Sequence, residues 1–426
     1  MAETTRISLF PGVFLTAVHT KKFRSCVLGA SFLAPLDRET ASLNALVPYV
    51  LRRGTADRPD MESLSAALDE LYGGSIEPVV RTRGEIQCVG FLGSFLDDAY
   101  TLDGSAVLED AAALLGELLL HPRTVSGSFD PDYTASERSN LVDRIRAQVN
   151  DKRSYALLRL KREMCAGEPF GVDRLGDEAS AIAIGPAALW ERYQTLLHTA
   201  PLELYYCGSA DPERAADALR TALAALPVSE RRDSLPRPTA QTAPDQPRLV
   251  EEAMDVGQGK LALGFRTGID AWDPRFPALL LANAIYGGTT TSKLFLNVRE
   301  KRSLCYYASS QLARYKGLML VSSGVEFDQF QAARDEILAQ LDACRAGQFD
   351  DQELEAARRS VVSSLISAAD AQGRLEDFWL GQSVAGIPDG PDALAAKAEA
   401  VRRDQILEAF AALQLDTIYF LKSKEA

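Results

Sequence analysis

The sequence predicts an α+β protein of two similar halves, each a mostly antiparallel sheet with helices packed on one side. Three observations predict it. A proline-rich stretch, Pro227 to Arg248, divides the chain. The same series of elements runs on either side of that stretch at a nearly constant offset, as internal duplication requires. In both series a strand, a helix and a hairpin are followed by two long helical patterns.

In the first half, Cys26 to Leu33 (CVLGASFL) is a continuous apolar run and reads as a buried strand. A turn around Pro35 and Asp37 leads to a helix from about Thr40 to Arg53. In the second half, Lys260 to Arg266 is the strand, Asp270 to Pro274 the turn, and about Arg275 to Tyr286 the helix. A hairpin follows in each: Ile76–Thr82 with Glu85–Phe91, and Ala308–Arg314 with Leu318–Val325, turning at Gly84 and Gly317. The helical patterns are Ala99–Leu120 and Pro131–Gly167, then Phe330–Arg345 and Asp351–Ala369. Asp130 followed by Pro131 suits a capped helix start, as do Asp350 and Asp351. A strand at Leu202–Cys207 and a helix at Pro212–Leu226 complete the first half; Thr417–Leu421 is the strand's short counterpart at the other end. The expected domains are therefore residues 1–227 and 249–426, joined by an extended linker at 228–248.

Composition narrows the function. With 59 acidic against 46 basic residues the net charge is −13, which disfavours nucleic acid as a partner. The start of the chain does not read as a signal peptide, and no apolar run reaches the roughly 18 residues a membrane span needs. A cytoplasmic protein without membrane attachment is expected. The six cysteines form no CxxC pair and read as free buried thiols.

The chemistry is sparse. The only histidines are His19, His121 and His198, too far apart in sequence for HxxEH, HExxH or HxH. There is no GxSxG elbow, GxGxxG turn or GK[ST] phosphate loop. Against that background the segment Gly287 to Tyr307, GGTTTSKLFLNVREKRSLCYY, is the most informative in the chain. Arg299 and Tyr306 can aim a guanidinium and a phenol at one bound backbone. Tyr307 competes for the phenol's role, though the spacing favours Tyr306. Ser292 and Lys293 read as a helix start. Asn150–Arg153 with Tyr155 could line a chamber opposite the pair but reads better as a charged helix face, and Phe378, Trp379 and Gly381, in a break between helices, read as core rather than as a hinge or partner surface.

The run from Ser292 to Tyr306, Ser-x-Leu-Phe-x-x-Val-Arg-Glu-Lys-x-x-Leu-x-Tyr, closely resembles the C-terminal half of the insulinase/pitrilysin family of zinc peptidases, which includes the mitochondrial processing peptidase. With the linker and the duplicated halves, the resemblance extends over nearly the whole chain. It implies a clamshell of two halves. In active members one half holds zinc through HxxEH and a downstream Glu, and the other binds substrate backbone through the Arg and Tyr.

Aligning the family's helix end on Gly54-Thr55 puts Ala45, Pro48 and Tyr49 where His, Glu and His would stand. The downstream acid falls near Asp143 or Arg144. A methyl group, an imide ring and a phenol make no zinc site, and the general base is missing with the Glu. The resemblance therefore implies a chain with no catalytic residues or metal of its own. Arg299 and Tyr306 would clamp a peptide or small protein substrate for a homologous partner that carries HxxEH and zinc. The alternative is a scaffold or peptide-binding protein that has lost peptidase chemistry. Homodimers of the isolated chain stay open.

Overall fold

The computed structural model describes residues 3–228, 231 and 235–424. Two compact units are present, and neither is a continuous stretch of sequence. One comprises residues up to Arg146, Val172–Pro236 and Ala371–Pro388; the other Ala147–Gly171, Arg237–Asp370 and from Asp389 onward. Within the expected 228–248 linker, residues 229, 230 and 232–234 lie outside the described residues. Positions 235–247 contain no helix or strand.

The first unit holds a six-stranded sheet in the order Glu3–Phe10, Val13–His19, Leu202–Gly208, Ser25–Pro35, Ile86–Leu96, Ser75–Arg83. The second holds a five-stranded sheet in the order Tyr307–Ala313, Leu318–Val325, Gly259–Arg266, Gln414–Ser423, Arg248–Met254. Each is antiparallel except for one parallel pair: Val13–His19 with Leu202–Gly208, and Gln414–Ser423 with Arg248–Met254. The sheets share one topology, and the second lacks only a counterpart of Glu3–Phe10. This is the α+β duplication that the repeated offset predicted.

Both faces of each sheet are buried. In the first unit Cys26, Leu28, Leu204 and Tyr206 enter one core with the helices Ala41–Leu51, Val107–Leu120, Pro186–Thr199 and Pro212–Ala222. The alternate residues Val27, Tyr205 and Cys207 point the other way, as the two-residue period of a strand dictates. They are covered by Leu375 and Trp379 of the helix Gln372–Ala385, which comes from the second half of the sequence. The second sheet is treated the same way. Ala262, Leu320, Tyr419 and Leu421 meet Ala156 and Leu160 of the helix Lys152–Met164, which comes from the first half. Ala156, Leu160 and Met164 repeat every four residues and form one apolar stripe.

These two helices explain where sequence and structure part. The pattern Pro131–Gly167 predicts one helix; the structure has Pro131–Ala147, a short 3₁₀ turn at Gln148–Asn150, and Lys152–Met164. Asp151 makes the break. Its carboxylate accepts from Arg153 N (3.1 Å), Ser154 N (3.2 Å) and Ser154 Oγ (2.6 Å), capping a new helix. The second half repeats the arrangement with Asp351–Ser367, a 3₁₀ turn at Ala368–Asp370, an extended Ala371 and Gln372–Ala385. Phe378, Trp379 and Gly381 therefore lie inside a helix rather than in a break, and Phe378 is core. The expected helix Ala99–Leu120 starts at Val107, because Gly104 upstream takes a positive φ of 75°.

Polar anchors hold the exchanged helices. Gln372 Nε2 donates to Ser25 O (2.9 Å) and Cys207 O (3.1 Å), and Ser25 Oγ donates back to Gln372 Oε1 (2.8 Å). Arg81 pairs with buried Glu376 at 2.5 Å. In the second unit Arg266 bridges Asp416 (2.9 Å) and Glu168 (2.6 Å) and donates to Met164 O (3.0 Å), while Lys316 pairs with Glu168 at 2.6 Å. Burial works to raise the Glu168 carboxyl, but Arg266 and Lys316 hold it below its ordinary range. All six cysteines are free and buried, and burial pushes the thiols of Cys26, Cys88, Cys165 and Cys344 up to about 12.

Arg266→Met removes the closest charged partner of buried Asp416 and one of the two cations that hold Glu168. Removing one partner from such a network costs about 3–5 kcal/mol, read as a lower urea midpoint, whereas Arg402→Met on the surface leaves it nearly unmoved. Because Glu168 is depressed, its share of stability is present at neutral pH and is lost as pH falls through its folded pKa. The variant therefore loses part of that acid dependence.

Candidate functional site

The Gly287–Tyr307 segment is irregular helix followed by the start of an edge strand. Helix Phe276–Asn283 widens into a π-type turn at Ala284–Gly288, and a second wide helix runs from Leu294 to Lys301. Gly287 is required by packing: a Cβ there would come within 2.7 Å of Ser310 Oγ and 2.8 Å of Ser310 N on the edge strand. Ser292 is buried, its Oγ donating to Thr289 O at 2.7 Å, and Lys293 pairs with Glu353 at 2.6 Å. Both act in the helix start, as expected.

The wide helix closes by long-range backbone bonds, Arg302 N to Asn297 O (3.2 Å) and Leu304 N to Val298 O (3.0 Å). Ser303 turns the chain with φ 51°, a left-handed conformation uncommon outside glycine. Tyr306 N then donates to Gly324 O (2.9 Å) and the edge strand Tyr307–Ala313 begins. Such π insertions are rare and concentrate at functional positions.

Arg299 leaves the last turn of the wide helix half-exposed. Its guanidinium lies 4.7 Å over the Phe295 ring, and Nε is 3.4 Å from Glu300 Oε1. Burial raises the Cys305 thiol, while the Arg299 charge acts on it in the opposite sense, so the guanidinium lies within electrostatic reach of the residue before Tyr306. Tyr306 is 61% exposed, and its hydroxyl donates to Glu326 Oε1 at 2.7 Å. That bond and the Glu326 charge raise its pKa. The Arg299 and Tyr306 side chains are not hydrogen-bonded to one another. Tyr307, the rival phenol, is half-buried with Arg153 stacked 4.2 Å over its ring.

Ala45, Pro48 and Tyr49, the positions the alignment would give to the zinc motif, share one face of the Ala41–Leu51 helix, at i, i+3 and i+4. Ala45 and Pro48 are buried. Tyr49 is half-buried and faces Arg144, whose guanidinium lies 3.8 Å over its ring. Arg144, rather than Asp143, is thus the side chain brought to this helix, and a cation–π pair of about 0.5–1 kcal/mol occupies the place. Behind it, buried Asn44 donates to Gln87 Oε1 (2.8 Å) and accepts from Arg192 Nε (2.6 Å), while Gln87 donates to Ala41 O (3.0 Å) and Arg174 O (2.6 Å). Sequence reasoning missed this amide network, since its members are far apart in the chain. The donor set of Ala45, Pro48 and Tyr49 does not fit zinc. Among the described residues no three His, Cys, Asp or Glu side chains gather as a metal site.

Comparison with known proteins agrees with this geometry. Residues 183–361 match the model of the peptidase M16 inactive domain. Over 414 residues the chain is 34% identical to the probable inactive metalloprotease YmfF of Bacillus subtilis (strain 168), covering 97% of this chain and 96% of that protein. The chain belongs to the M16 peptidase family. This is the insulinase-type family that the Ser292–Tyr306 motif resembles, and the matched domain contains that motif. A conserved protein from Enterococcus faecalis V583 superposes with a TM-score of 0.90 at 27% identity, covering 99% of both chains. A peptidase M16 inactive domain from Pseudomonas fluorescens does so with a TM-score of 0.79 at 17% identity, covering 100% of this chain and 98% of that one. The fold is M16-like, and the chain is a peptidase homologue of the inactive type. Among the described residues no helix is long and apolar enough to cross a membrane.

Removing the Glu326 charge should ease ionisation of its phenol partner. In Glu326→Gln the Tyr306 pKa falls toward the ordinary phenol value. The shift is read from ultraviolet pH titration against Tyr306→Phe, and an unchanged titration would show that Glu326 does not hold the hydroxyl.

Proposed function

We propose that this M16 homologue is the substrate-holding subunit of a two-chain zinc endopeptidase and is silent on its own. The observation that carries the proposal is an asymmetry. The motif's Arg299 and Tyr306 are accessible and lightly held, whereas Ala45, Pro48 and Tyr49 offer a metal nothing. Arg299 donates to a peptide carbonyl or the oxyanion developing on it, and Tyr306 hydrogen-bonds the same group. Each must first leave Glu300 or Glu326, and exposed contacts of this kind cost little to break. The metal chemistry belongs to a homologous partner bearing HxxEH. A heterodimer in the cytoplasm acting on a peptide or small protein is the assembly this reading implies. Its rival is a scaffold that binds peptide without assisting cleavage, and the tests below separate the two.

Metal analysis of the purified chain should find no stoichiometric zinc; one zinc per chain would overturn the alignment of Ala45, Pro48 and Tyr49. Co-purification from the native cell should bring down an HxxEH-bearing chain of similar length. The pair should cleave peptides that neither chain cleaves alone, and Arg299→Ala should slow the pair about 10²-fold, the scale of losing an oxyanion donor. Unchanged turnover in that variant removes Arg299 from the mechanism. Cleavage by the lone chain refutes the proposal, and a peptide-binding chain that recruits no peptidase leaves the scaffold.

A further inference from the structure

Beside Tyr306 the second sheet carries two cations that no carboxylate satisfies. Across three strands Tyr307 lies opposite Gly324, and Gly324 lies opposite Lys260. Residues in such register share a face of the sheet. Gly324 is what lets the Tyr307 ring lie flat across the strands: a Cβ there would come within 2.5 Å of Tyr307 Cε1. Lys260 Nζ reaches 5.9 Å from the ring centroid, and the Arg153 guanidinium stacks over the ring at 4.2 Å. Arg153 also donates to Ser309 Oγ at 3.0 Å, two residues along the same edge strand. Lys260 donates to Gln258 Oε1. Among the described residues neither cation has a salt-bridge partner, although most arginines of this acidic protein are paired.

The neighbouring acids are already engaged. Asp151 caps the helix that carries Arg153, and Glu326 accepts from Tyr306. Both act on Lys260 through space, yet burial and the Arg153 charge outweigh them and hold the Lys260 pKa below its ordinary value. An ammonium in this position gains from any anion brought to it. Both cations approach the Tyr307 ring, and the Arg153 guanidinium is exposed beside the Ser309 hydroxyl of the edge strand.

The geometry points to a carboxylate-binding subsite formed by Arg153, Lys260 and Tyr307, which selects peptides carrying an acidic group near the segment held by Arg299 and Tyr306. It rests on the reading of that pair as peptide-holding and adds a substrate class to it. The carboxylate completes charge-assisted hydrogen bonds with both cations, the strong kind, and comes from an Asp or Glu side chain or from the peptide's C-terminus.

Three fluorescein-labelled decapeptides test it by anisotropy with the full chain: a neutral sequence with an amidated end, the same with two internal glutamates, and the neutral sequence with a free C-terminal carboxylate. One or both acidic forms should bind about tenfold tighter than the neutral amide, and which of them does so identifies the source. Lys260→Gln and Arg153→Gln should each abolish the preference while leaving the neutral peptide unchanged, Arg153→Lys should restore part of it, and added salt should weaken it. Equal binding of all three peptides, or a loss in Lys260→Gln shared by all three, overturns the subsite. If that uniform binding still depends on Arg299, the peptide-holding reading survives alone. Failure of all three to bind overturns both.

Discussion

The structure depends on covering the second face of each sheet. A strand with apolar residues on both sides, such as Cys26–Leu33, cannot rest against one helical layer and leave the other side in water. Val27, Tyr205 and Cys207 in one unit, and Ala262, Leu320, Tyr419 and Leu421 in the other, form those second faces. Each large side chain there is worth about 1.5–3 kcal/mol when buried, so a bare face would cost an amount comparable to a typical domain's net stability. The cover is one helix per sheet, supplied by the opposite half of the sequence. The chain therefore crosses between units at Arg146, Gly171, Pro236, Asp370 and Pro388. Each half needs a helix the other encodes.

The exchange has a local cause and a functional consequence. The cause is a short break before each exchanged helix, set by Asp151 in one case and by extended Ala371 in the other. The consequence is that one run of chain serves both candidate positions. Helix Pro131–Ala147 brings Arg144 to Tyr49 in the first unit. After the break, the first turn of Lys152–Met164 brings Arg153 to Tyr307 in the second. The apolar stripe Ala156, Leu160 and Met164 fixes that helix on its sheet, and the position of Arg153 follows from the stripe.

Much of this was legible in the sequence. Periodicity located both hairpins, the central strands and most long helices, because those signals are local and strong. The break at Asp151 was not legible, since Asp can end one helix or sit exposed within it, and only the destination of the following residues decides. The N-terminal hairpin Glu3–Phe10 with Val13–His19 and the capped helix Met61–Glu70 were also missed. Their patterns are short, and Pro11-Gly12 reads as an interruption before it reads as a turn. For the site, the Ser292–Tyr306 motif was visible in the residues themselves, and the assignment of Ala45, Pro48 and Tyr49 came from the family resemblance it carries. The Arg144–Tyr49 stack and the Arg153–Tyr307–Lys260 group were not, because pairing across strands and helices at long separation has no periodic signature.

The two candidate positions differ in what the fold asks of them. Ala45 and Pro48 are core residues, and Tyr49 is covered by Arg144. Histidines and a glutamate placed there without a metal would bury unsatisfied polar groups, whereas the side chains present pack. Restoring a metal site would take several simultaneous changes and displacement of Arg144. Arg299 and Tyr306 carry no such burden. Arg299 is held by a neighbouring ring and the exposed carboxylate of adjacent Glu300, and Tyr306 by one exposed hydrogen bond. Little stability rests on either side chain, yet the backbone beneath them adopts wide helical turns and a left-handed serine to present them. The irregular backbone thus carries two side chains on which little packing depends, the reverse of the packed face that Ala45 and Pro48 form.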